Sequence, residues 1–221
     1  MLNWVHGHKQ SLKYIVGVVK NKEGASTGQF VDETYSGINN VSTPLRIFKP
    51  KKAHQTTFIL FPGASPFAEE HPEMIGLATT IMNLGYTVFI PRIPPLKALS
   101  IKSENVEWFA RAYEQIINRD GIDKTNVAII GISFGGSLLL KATLDERIKS
   151  NPPRSMLMYG SCFDLESGLN FLLSGEIKHN GKIAYIPPND WGLTVLFHNF
   201  LKEMNTGFDT TAIRTILAAR V

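Results

Sequence analysis

Gly131-Ile132-Ser133-Phe134-Gly135 is the segment whose residue types and spacing can do chemistry. A serine two residues from a glycine on either side can be presented at a strained strand-to-helix turn, because Gly131 and Gly135 lack the Cβ atoms that would collide there. Ser133 is therefore a candidate nucleophile. The backbone N–H groups that open the following helix stand beside it, where negative charge develops on oxygen when a carbonyl carbon is attacked.

Such a turn needs a strand in front and a helix behind. Val127-Ala128-Ile129-Ile130 is a short apolar strand, and Ser137-Leu138-Leu139-Leu140-Lys141-Ala142 reads as the helix. The competing reading of the same residues is an ordinary glycine-rich turn in an α/β domain.

The flanking segments repeat that alternation. Thr57-Phe58-Ile59-Leu60-Phe61 is an apolar run of buried-strand length, followed by the loop Pro62-Gly63-Ala64-Ser65-Pro66. Met74, Leu77, Ala78, Ile81 and Met82 then share one helical face, with Gly85 placed as the helix stop. Tyr86 to Ile90 predicts a strand ended by Pro91, and Val106, Phe109, Ala110, Tyr113, Ile116 and Ile117 give the inward face of the next helix. After the breaker Asn151-Pro152-Pro153, Ser155-Met156-Leu157-Met158-Tyr159 predicts another buried strand. Strands separated by helices of this length imply right-handed crossovers and a mostly parallel sheet with helices on both faces. The first fifty residues are polar and glycine-rich, with β-like pieces at Tyr14 to Val19 and Leu45 to Phe48 that suit an antiparallel edge. Beyond Asp164, Leu169 to Leu173 and Leu193 to Leu201 look helical around a Pro187-Pro188-Asn189-Asp190-Trp191 loop, and no further strand is expected.

The 221 residues are 43% hydrophobic and 19% charged, enough to bury the core of one α/β domain and too ordered a mixture for a disordered chain. The net charge of +4 is scattered, and its one cluster, Lys49-Pro50-Lys51-Lys52, has no interleaved aromatic residue, which argues for a solvated loop over a nucleic-acid patch. Cys162 is the single cysteine, so no intramolecular disulfide forms and a reducing compartment suits the chain. No signal-peptide pattern opens it and no apolar run reaches ~18 residues, so a cytoplasmic protein without a membrane span is expected.

These motifs, in this order, resemble the α/β-hydrolase superfamily over roughly residues 45–164. The resemblance implies a mostly parallel, doubly wound sheet over 45–164, an N-terminal lead-in over 1–44 and a helical cap-like segment over 165–221. It implies a serine hydrolase of the esterase or lipase type, taking a small-molecule acyl or ester substrate through a Ser133 acyl-enzyme, with no cofactor and no metal. By position, the oxyanion donors would be the N–H groups of Phe134 and of Ala64 or Gly63. Many members carry a His-Gly pair where this loop has Phe61-Pro62-Gly63, but a backbone donor needs no particular side chain.

The family's acid and histidine usually follow later strands, which makes this chain resemble an N-terminal portion lacking the last strands. In some members the acid follows the strand that here ends near Tyr159, making Asp164 a candidate acid, with His198 or His179 as base reaching Ser133 from the cap. Asp164 also suits the N-cap of a helix over Leu165 to Leu173. The alternative to an enzyme is a catalytically silent fragment or binding module that keeps the elbow without acid and histidine. Elsewhere, His6 and His8 form a His-x-His pair with no third ligand in view, and His71 before Pro72 suits a helix start. Trp191, Phe197 and Phe200 suit an acyl pocket or plain core. No phosphate- or dinucleotide-binding glycine motif is present.

Overall fold

Apolar runs of five or six residues make the central sheet, because a strand covered on both faces has no use for alternation. A computed structural model describes residues 2–21, 30–100, 102, 105–188 and 190–220. The side chains of residues 2–8, 20, 21, 165 and 220 lie outside that description, and the His6 and His8 pair with them.

The sheet has the spatial order β1-β2-β4-β3-β5-β6. Its strands are β1 (Phe30–Ser36), β2 (Ser42–Phe48), β3 (Thr57–Phe61), β4 (Thr87–Pro91), β5 (Val127–Ile132) and β6 (Ser155–Tyr159). β2 runs antiparallel to both β1 and β4, whereas β3, β4, β5 and β6 are parallel to one another. The expected antiparallel edge is thus present at Leu45 to Phe48. The parallel strands are joined through α2 (Pro72–Asn83), α4 (Val106–Ile117) after the short α3 (Pro94–Lys97), and α5 (Ser133–Ala142) followed by the short α6 (Glu146–Lys149).

Two packed layers follow from the periodicities. On one face Phe61, Ile59 and Ile129 of the sheet meet Phe109, Tyr113 and Ile116 of α4 and Leu138 and Leu139 of α5. On the other, Leu60, Val88, Ile90 and Ile130 meet Met74, Ala78 and Ile81 of α2. Gly85, at φ 96°, turns the chain out of α2, and His54 fills the space that a Cβ there would need.

Three expectations change. Tyr14 to Val19 belongs to a helix, α1 (Leu2–Asn21), in spite of its β-branched residues. The helix docks on α2 through Gly17, where a Cβ would stand 2.7 Å from Thr80 Cγ2. β6 is in the sheet but is not buried: Leu157 and Tyr159 project from the α2 face beyond the reach of α2 and are 53% and 70% exposed. Finally, the segment after Asp164 is not purely helical. Between α7 (Leu165–Ser174) and α8 (Asp190–Phe200), with α9 (Thr211–Arg220) after them, stands a two-stranded hairpin of β7 (Glu176–His179) and β8 (Lys182–Tyr185). Asn180 and Gly181 form its two-residue turn at φ 50° and 72°, the left-handed geometry that Asn-Gly favours. No helix among the described residues is long and apolar enough to cross a membrane.

Candidate active site

The sheet register assembles the site before any side chain is considered. Phe61, the last residue of β3, pairs with Gly131 near the end of β5, so the loop after β3 and the turn after β5 emerge side by side. β3 continues to β4 on one side and β5 to β6 on the other, leaving a crevice at the carboxyl ends of β3 and β5.

Ser133 stands at the lip of that crevice, exposed, as the first residue of α5. Its φ of 52° is left-handed, a conformation that costs a non-glycine residue about 1–3 kcal/mol and persists only where the surroundings impose it. The neighbours impose it. A Cβ on Gly135 would run into the Pro62 carbonyl and stand 2.9 Å from its carbon, and one on Gly131 would stand 2.5 Å from Gly136 Cα. Gly136 in turn admits no Cβ beside the Gly131 carbonyl, 2.9 Å away. Gly63 is close on the other side, though less tightly: a Cβ there would meet Ser133 Cβ at 3.1 Å and lie 3.7 Å from Ser133 Oγ. Ser133 therefore faces Gly63 with no side chain between them.

The N–H groups of the first turn of α5, Phe134 among them, have no acceptor inside the helix and carry the positive end of its dipole. Ala64 is held from outside the sheet, since the Trp191 indole at the start of α8 donates from Nε1 to the Ala64 carbonyl at 3.0 Å. Two hydroxyls tie the other flank. Ser161 Oγ donates to the Ser133 carbonyl at 2.8 Å, and Ser137 Oγ donates to the Cys162 carbonyl at 2.8 Å while accepting from Cys162 N–H at 3.1 Å. Sequence reasoning missed Ser161 and Ser137. Ser137 sits four residues past Ser133, one helical turn on, and Ser161 follows the next parallel strand, but only the folded register brings them together.

The remaining candidates are placed elsewhere. Asp164 caps α7, accepting from Ser167 N–H at 2.7 Å and from Ser167 Oγ at 2.7 Å, and these bonds hold its carboxyl below the ordinary carboxylate range. His198 is exposed on α8 and lines a recess with Thr211, Arg214, Thr215 and Ala218 of α9. His179 is exposed at the hairpin turn, and His71 caps α2 by accepting from Glu73 N–H at 3.3 Å. Among the described residues, no hydrogen bond joins Ser133 Oγ to Asp164, to His198 or to any other histidine.

No protein-family model matches the chain, and neither does any curated protein at a significant level. Solved structures do match. A thermophilic and thermostable carboxylesterase cloned from a metagenomic library superposes with a TM-score of 0.56 at 15% identity, over 92% of this chain and 70% of its own. The chain has the α/β-hydrolase fold. An α/β-hydrolase from Penicillium sp. sh18 matches at a TM-score of 0.47 and 16% identity, over 54% of this chain and 43% of its own. A hyperthermophilic esterase from Pyrobaculum calidifontis also matches at 0.47, with 17% identity, over 66% and 49%. The chain thus spans less than half the length of these last two α/β-hydrolase-fold structures.

Proposed function

We propose that this α/β-hydrolase-fold chain carries the nucleophile and oxyanion donors of a serine hydrolase acting on a carboxylic ester or another small-molecule acyl compound. The carrying observation is Ser133 at φ 52° between Gly131 and Gly135, facing Gly63. In this reading Ser133 Oγ attacks the carbonyl carbon as its proton passes to a base. The N–H groups of Phe134 and of Ala64 or Gly63 receive the oxyanion. Collapse expels the alcohol, which takes up that proton, and water then hydrolyses the Ser133 ester. Asp164 and His198 are the acid and base proposed from this sequence. Both require rearrangement, because Asp164 is engaged with Ser167 and His198 faces α9.

A second reading is supported by the lack of a histidine bonded to Ser133 among the described residues: the elbow is a silent binding module of the same fold. A fluorophosphonate probe separates the two. Covalent labelling that disappears in Ser133→Ala supports the hydrolase, and wild-type protein that stays unlabelled leaves the silent module.

A further inference from the structure

Over its described side chains, residues 9–19, helix α1 turns an apolar face away from the protein. Leu12, Ile15, Val16 and Val19 recur at the spacing of one helical face, and they are 44% (Val16) to 65% (Val19) exposed. The side that docks on α2 is the one bearing Gly17, close against Thr80. An amphipathic helix that belonged only to the fold would be oriented the other way, with the aliphatic stripe inward and Gly17 outside.

Charge identifies what suits the stripe. Leu2–Asn21 contains Lys9, Lys13 and Lys20 and no Asp or Glu. Lys9 and Lys13 are both exposed, and at 100° per residue they fall together on one flank of the stripe, beside Val16. Pairing with the same helix of a second copy would set these cations near their own kind, with no carboxylate in either helix to meet them. An anionic lipid surface offers both what the stripe needs and what the lysines need: acyl chains below and phosphates above.

We propose that α1 is an interfacial membrane helix, lying in the headgroup plane of an anionic bilayer with Leu12, Ile15, Val16 and Val19 dipped into the acyl boundary and Lys9 and Lys13 at the phosphates. It does not cross the bilayer. Since these residues point away from α2, changing them leaves the fold and the Ser133 elbow in place.

The test is flotation of the whole chain with phosphatidylcholine vesicles with and without phosphatidylserine. Wild-type protein floats with the serine-lipid vesicles, and added salt weakens the association. Combined L12S, I15S, V16S and V19S changes abolish flotation, while K9Q and K13Q each lower partitioning roughly fivefold at an unchanged far-UV spectrum. Leu157→Lys, on the open strand β6, floats as wild type. The proposal is overturned if wild type does not float, if the four-serine variant floats equally, or if the stripe instead mediates a dimer that the serine changes dissolve and vesicles do not compete for.

Discussion

At the residue scale, Ser133 is defined by strain. Its left-handed φ sits between Gly131 and Gly135, neither of which has room for a methyl group without moving backbone, and Gly63, where a methyl would be tight. Glycine takes that conformation freely, so Ser133→Gly raises the free energy of unfolding by about 1 kcal/mol, read from urea denaturation, while removing the hydroxyl. A loss of stability on that change would mean that the hydroxyl, and not the backbone, dominates at this position. Gly135→Ala acts in the opposite sense: its Cβ meets the Pro62 carbonyl, a backbone atom that cannot swing away, and the variant loses more than about 2 kcal/mol. The elbow could be read from the sequence because glycine spacing reports steric demand directly. The Trp191–Ala64 bond could not, since its partners are 127 residues apart and no local pattern links them.

At the element scale, the loop that carries Gly63 and Ala64 is pinned where it re-enters the fold. Glu69, only 2% exposed, receives the Arg92 guanidinium through Nε at 2.8 Å and 3.0 Å, and Tyr35 OH donates to the Arg92 carbonyl at 2.6 Å. Arg92→Ala strands a buried carboxylate and costs about 3 kcal/mol, as measured by urea unfolding near neutral pH, whereas Arg92→Ala with Glu69→Gln recovers part of the loss. A second element-level effect is alkaline. Burial pushes the Tyr113 hydroxyl from 10.0 up to about 12, and its proton is donated to the Asn151 carbonyl at 2.7 Å. The native state therefore binds that proton more tightly than the unfolded chain. The resulting stability is complete below pH 10.0 and is lost as pH climbs towards about 12, so Tyr113→Phe flattens the stability curve across that window. Identical slopes in both proteins would remove Tyr113 from the account. The elements themselves were legible wherever one period dominated, as in α2 and α4. α1 was not, because Ile15, Val16, Val18 and Val19 favour strands by propensity and docking on α2 decides otherwise. Asn180-Gly181 is a hairpin signal, but the strands on either side, Glu176–His179 and Lys182–Tyr185, are too weakly apolar to read as strands.

At the scale of the whole molecule, the two edges of the sheet differ. Among the described residues β1 is an antiparallel edge paired only with β2, and β6 is a parallel edge paired only with β5. The two faces of β6 also differ. Met156 and Met158 pack on the core that α5 shares, while Leu157 and Tyr159 stand on the α2 side with nothing over them, and Phe163 beyond the strand is exposed too. The sequence showed that this strand exists, but its burial depends on what covers it, and apolar composition alone cannot report that. A free parallel edge beside an uncovered apolar face templates pairing with another chain. Sedimentation velocity at rising concentration is therefore expected to show reversible association. Leu157→Lys with Tyr159→Lys suppresses it, because charge on that face opposes stacking while the strand's bonds to β5 survive. Leu157→Lys alone leaves fluorophosphonate labelling intact, since Leu157 pairs with Ile130, whereas Tyr159 pairs with Ile132 directly before Ser133. Association that persists in the double-lysine protein would assign the contact to another surface.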